Sequence, residues 1–180
     1  PRDYRAARDV IDLDPAAWVG YFYTNARTRH IDAWVDRAAA EGFGQVVVLG
    51  AGFDSRAYRF HDAHPALRFF ELDLPDTIAA KERAVARVLG GLPAHVRYVP
   101  IDFDRQPLDA VLPAAGYDAR VRTLFILEGV TMYVAESGTA ATMDFVAHHA
   151  ASGSVLVYDY LLRQVVQGDF TGLPGAAREA

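Results

Sequence analysis

Five short, mostly apolar runs, each closing on a glycine turn or an acid, constrain the fold of this chain most. Residues 45–49 read Gln-Val-Val-Val-Leu and run into Gly50-Ala51-Gly52. Residues 67–72 end at Asp73, residues 96–101 at Asp102, residues 124–127 at Glu128, and residues 155–158 at Asp159. Between them lie stretches with helical spacing, over 55–60, 75–89, 108–114 and 137–150. Met143, Val146, Ala147 and Ala150 share one helix face, and Pro75 suits a first helical turn. Short apolar strands alternating with helices predict a doubly wound, mostly parallel α/β sheet covered on both sides. In open sheets of this kind, ligands sit beyond the carboxyl ends of the strands. The acids therefore gather at the edge where a ligand is expected.

Upstream of the first strand, residues 1–44 read as an N-terminal helical segment, and residues 45–180 as the sheet-bearing core of a single domain. Ile31, Trp34, Val35 and Ala38 fall at i, i+3, i+4 and i+7; Trp18, Tyr21 and Phe22 repeat that spacing behind Pro15, and Gly42 and Gly44 end the pattern. With 52% apolar residues, the 180-residue chain can bury a sizeable core. The net charge of −5, without a basic run, argues against a nucleic-acid or anionic-membrane partner. The absence of cysteine removes disulfides, thiolate metal sites and cysteine nucleophiles, and no metal set is expected. No apolar run approaches the roughly 18 residues of a membrane span, and Pro1-Arg2-Asp3-Tyr4 lacks a secretory signal. A cytoplasmic location is the default expectation.

The chemistry-bearing residues lie where the runs end. Glycines at 50 and 52, with Ala51 between them, let the chain turn tightly and bring its backbone close to a ligand. Asp73 follows Gly52 by 21 residues, a spacing that suits a carboxylate accepting from both hydroxyls of a ribose. Its alternative is a helix N-cap ahead of Pro75. Asp102 beside Phe103 suits an adenine, the acid accepting from the exocyclic amine and the ring packing on the base; a turn aspartate is the alternative. Glu128, among Ile126, Leu127 and Val130, needs a cationic partner. The amino group of a bound amino-acid moiety would serve, as would one of the 17 arginines.

These motifs together resemble a known family. Residues 45–56, Gln-Val-Val-Val-Leu-Gly-Ala-Gly-Phe-Asp-Ser-Arg, are similar to the first motif of the leucine carboxyl methyltransferase-like family, which includes bacterial O-methyltransferases of polyketide and other secondary metabolism. Phe70-Glu71-Leu72-Asp73-Leu74-Pro75 resembles the second motif, Val99-Pro100-Ile101-Asp102-Phe103 the third, and Glu128-Gly129-Val130-Thr131-Met132-Tyr133 the fourth. The segment Asn25 to Asp32 is similar to the family's arginine-bearing helix. The resemblance implies a class I methyltransferase with a Rossmann-like sheet and S-adenosyl-L-methionine at the strand ends. It implies that Asp73, with Leu74 beside it, holds the ribose and that Asp102 and Phe103 hold the adenine. Gly50, Ala51 and Gly52 would pass beneath the cofactor, Glu128 would face its amino-acid end, and Arg27 (or Arg29) would reach its carboxylate.

The expected reaction is methyl transfer to a carboxylate or hydroxyl of a small molecule. No catalytic base is named: no motif ties any histidine to the site, although Tyr133, Tyr158 and Tyr160 lie where they could line an acceptor pocket. Two other readings stay open. One is a nicotinamide-dependent oxidoreductase, which shares the glycine turn and following acid but for which no Tyr-Lys pair is evident. The other is a non-catalytic binding module on a degenerate methyltransferase fold. The resemblance also implies a helix and an antiparallel hairpin after the fifth strand, for which the 20 residues beyond Tyr160 leave too little room. C-terminal strands are thus expected to be missing, the chain reading as a fragment or a shortened homologue. A strand order of 3-2-1-4-5 would leave residues 155–158 as an apolar edge without proline or lysine, so either further chain or self-association into a homo-oligomer is expected to cover it.

Overall fold

The computed structural model describes residues 15–169, 171 and 172. Helix α1 (Pro15–Ala40) leads into β1 (Gln45–Leu49), α2 (Arg56–Arg59), β2 (Arg68–Asp73), α3 (Pro75–Leu89), β3 (Val96–Pro100), α4 (Leu108–Ala114), β4 (Thr123–Leu127), α5 (Glu136–His149), β5 (Val155–Tyr158) and α6 (Arg163–Val166). Two compact units emerge. Trp34–Tyr160 carries the sheet, and the described residues of α1 up to Ala33 group with residues 161–169, 171 and 172. The N-terminal four residues and the side chain of Trp18 lie outside the described part. Among the described residues, no helix is long and apolar enough to cross a membrane.

The five strands among the described residues are all parallel, as the alternating pattern predicts, and stand in the order β3-β2-β1-β4-β5. The arrangement is a doubly wound, Rossmann-like sheet. The central strands β1 and β4 are buried along their whole length, which is why they read as continuous apolar runs rather than alternating ones. β3 is an edge strand and ends at Pro100, one residue before the sequence pattern suggests. A proline has no amide for a ladder and is tolerated at an edge.

The two faces of the sheet are built differently. On one, Val47, Leu49, Phe70, Leu72, Phe125 and Leu127 pack with Leu112 of α4, Tyr117 and Phe145 of α5. The rings of Phe125 and Phe145 meet edge-on at 6.3 Å. On the other face Glu71, wholly buried in β2, meets Lys81 of α3, its Oε2 lying 2.8 Å from the lysine Nζ. The Tyr58 hydroxyl donates to the same oxygen at 3.2 Å and shares a 2.9 Å hydrogen bond with the Tyr98 hydroxyl. Burial pushes the Glu71 carboxyl up to about 6, against the pull of Lys81 in the opposite direction. Burial likewise raises both tyrosines. The Glu71–Lys81 pair joins β2 to α3.

Candidate functional site

At the carboxyl edge of the sheet a cavity of about 390 Å³ opens among the strand ends. Gly50, Asp73, Leu74, Asp102 and Phe103 line it, all five anticipated from the sequence. Its volume falls in the range of small-molecule sites. A larger hollow of about 590 Å³ lies at the amino end of β3, beside the stacked rings of His61 and His95. It is remote from the strand-end acids, so the smaller cavity is the candidate site.

Its floor is the turn after β1. Gly50 has φ +71°, and a Cβ there would lie 2.3 Å from Cγ2 of Val130, which also lines the cavity. Only glycine combines that backbone with so close an approach. Two residues on, the Gly52 amide donates to Asp73 Oδ2 at 2.7 Å, while the Leu74 amide donates to Oδ1 at 2.7 Å. The N-cap position of α3 is Leu74, and no side chain caps it. Asp73 therefore joins the turn after β1 to the end of β2 instead of capping the helix. A carboxylate oxygen has about two acceptor positions, so each oxygen, aimed by one amide, has room for a ligand hydroxyl.

Asp102 plays the turn role and also lines the cavity. Its Oδ1 accepts from the Asp104 amide at 3.1 Å, and its Oδ2 lies 3.4 Å from Nε of Arg105. Asp104 lines the cavity as well and accepts from the Ala135 amide at 3.1 Å, which ties the turn after β3 to the segment before α5. Gly129, Val130, Tyr133 and Val134 complete the wall. Tyr133 stands at the mouth, 84% exposed. Tyr158 and Tyr160 instead lie against each other, centroids 6.0 Å apart.

Glu128 finds its cation within the chain. Nη1 of Arg56 lies 2.7 Å from Glu128 Oε2 and 2.5 Å from Asp54 Oδ2. Asp54 Oδ1 also accepts from the Arg56 backbone amide at 2.7 Å. This is the arginine pairing that the sequence left open for Glu128. The cavity is lined not by Glu128 but by the next residue, Gly129, whose amide donates to Asp159 Oδ1 at 2.6 Å. Arg27 belongs to the other unit, where its guanidinium lies 5.2 Å from the ring centre of Tyr23.

Sequence reasoning assigned no role to Arg56, Asp104 or Asp159. Asp159 carried a legible signal, being the strand-end acid beside β4. Arg56 closes the first motif, but nothing in the sequence singles it out among the 17 arginines as the partner of Glu128. Among the described residues no histidine lines the cavity, and no cluster of three or more potential ligands suits a metal ion.

Comparison with known proteins fits this geometry. A Mycolicibacterium gilvum protein provisionally named an S-adenosyl-L-methionine-dependent methyltransferase is 40% identical over 75% of this chain and 43% of its own length. A Mycolicibacterium smegmatis protein with the same kind of name is 35% identical over 87% of this chain and 51% of its own. One from Streptomyces coelicolor is 35% identical over 84% and 53%. The chain thus spans about half the length of the curated relatives it matches. Among solved structures, a protein from Thermobifida fusca titled as a methyltransferase superimposes with a TM-score of 0.60 at 18% identity, over 85% of this chain and 55% of that one; the likeness is one of fold. Residues 12–147 match the leucine carboxyl methyltransferase family, and with three quarters of its length in that match the chain belongs to that family.

Proposed function

We propose that this chain binds S-adenosyl-L-methionine in the carboxyl-edge cavity and serves methyl transfer to a carboxylate or hydroxyl of a small molecule. The observation that carries the reading is the Asp73 carboxylate, lining the cavity with each oxygen aimed by a backbone amide. A vicinal diol matches two oriented acceptors better than does any ligand with one polar group. Asp73 then takes the ribose, with Leu74 beside it. Asp102 and Phe103 take the adenine, and Gly50, Ala51 and Gly52 run beneath the ligand. Glu128, next to the lining Gly129 and paired with Arg56, is assigned to the amino-acid end.

The charge of the lining supports the same choice. Asp73, Asp102 and Asp104 are acidic, and no basic residue is among the described residues lining the cavity. A sulfonium cofactor with a cationic ammonium suits such a surface, whereas a dinucleotide would bring two phosphate charges against it. When bound, the cofactor supplies a methyl group on a good leaving group. The chain's own residues contribute orientation, which can supply much of the acceleration of an in-line displacement. A carboxylate acceptor is already ionised, while a phenol with a pKa near ~10 gains from a base. Tyr133 and Met132, both exposed, offer apolar surface for the acceptor. Following the branch its motifs resemble, we assign the acceptor to secondary metabolism, in the cytoplasm.

Calorimetric titration tests the reading. S-adenosyl-L-methionine or S-adenosylhomocysteine should bind with micromolar affinity, on the order of −8 kcal/mol. Equal or tighter binding of NAD by the same sample would refute it. A methyl-transfer assay with small carboxylic acids and phenols then separates an enzyme from a binding module.

A further inference from the structure

Arg56 is an unusual residue to find buried at a sheet edge. Only 3% of it is exposed, and its Nη1 lies between Asp54 and Glu128. Burying a guanidinium between carboxylates is expensive, and folds that need only packing at such a place do as well with apolar side chains. The position explains more than the packing does. Asp54 and Arg56 follow the turn after β1, and Glu128 opens the turn after β4. Those two turns supply Gly50, Gly129 and Val130 to the cavity. Arg56 therefore ties together two sides of the same floor and fixes one oxygen of Glu128.

Building on the cofactor reading above, we propose that Arg56 is a positioning residue that holds Glu128 in the orientation that receives the α-ammonium group of the cofactor's amino-acid end. Arg56 does not touch the ligand; it acts through Glu128. The site then reads its ligand in two separable parts. Asp73 and Asp102 read the nucleoside, and Glu128, held by Arg56, reads the amino acid.

Two probes divide those parts: S-adenosylhomocysteine carries the amino-acid end, and 5′-methylthioadenosine shares its adenosine and thioether but lacks that end. Arg56→Gln should weaken S-adenosylhomocysteine by about 10-fold or more and leave 5′-methylthioadenosine within about 2-fold. Arg56→Lys should lose less. Glu128→Gln should reproduce the selective loss, and the double variant should be no weaker than the worse single one, since both act on one contact. Equal loss of both probes, unchanged S-adenosylhomocysteine binding, or additive losses in the double variant overturns the proposal. Thermal unfolding of the same samples identifies a variant that has not folded. Should Arg56→Gln be one, Arg56→Lys must still show the selective loss in smaller measure, and its absence is equally decisive. A wild-type chain that binds neither probe overturns the cofactor reading and this assignment together. A wild-type chain that binds both, with Arg56→Gln unaltered, overturns this assignment alone.

Discussion

Asp73 shows how much a single side chain can carry. Its place was legible because a strand-end acid 21 residues after a glycine turn suits a ribose. Its bonds to the Gly52 and Leu74 amides were not legible, because spacing gives the order of residues and not the direction of an N–H. Leu74 lines the cavity and Gly52 is half-buried, so water can replace the acceptor at both amides. Asp73→Ala should therefore weaken S-adenosyl-L-methionine by about 1.5–3 kcal/mol while costing only about 1 kcal/mol of stability. Titration and chemical unfolding of one preparation separate the two effects. Glu71 lies two residues earlier and behaves in the opposite sense to an ordinary carboxylate. Its folded-state value, raised to about 6, lies above the ordinary glutamate value of 4.5. Its contribution to stability is thus fully present below about 4.5 and is lost as pH rises through about 6. The unfolding free energy of wild type minus that of Glu71→Gln should fall by about 2 kcal/mol over this window. A difference that rises with pH would show that Lys81, not burial, dominates. Nothing in the motif suggested the pair, since Glu71 sits within a run that reads as apolar strand.

At the scale of elements, the strand and helix boundaries were largely visible because each class has its own period. Residues 75–89 and 108–114 are helical as the pattern predicts, down to their ends. Proline at the first turn and a left-handed Gly90 with φ +77° frame α3. The contact between the turns after β1 and β4 was not visible, because it depends on two elements that are neighbours in space alone. Gly50 and Val130 make that contact at the floor of the cavity. Gly50→Ala combines a disfavoured backbone with a steric overlap, and should destabilise the chain by about 1–3 kcal/mol. It should also reduce cofactor affinity in proportion to how far Val130 is displaced. Gly52→Ala, with φ +44° but open space around its Cβ, should cost less. Urea unfolding of the two variants checks the ranking, and equal costs would mean that backbone strain alone decides.

For the molecule as a whole, the strands stand in the order supposed for the α/β pattern, 3-2-1-4-5. β5 pairs with β4 alone among the described strands and is half-exposed along its length, whereas β1 is flanked on both sides. Amides of residues 155–158 should exchange at least about 10-fold faster than those of residues 46–48 in the 180-residue chain. Equal protection, read by mass spectrometry or NMR at several concentrations, would show that something covers the edge, and a concentration dependence would identify a second copy. The buried pair beneath β2 has a practical consequence. Lys81 is the sole lysine of the sequence, and 1% of it is exposed. Apart from the α-amino terminus, an acylating reagent has one amine to find, and the folded chain conceals it. The rate at which Lys81 becomes labelled is thus a clock for the opening of α3 from the sheet, recorded at a single atom without any engineered probe.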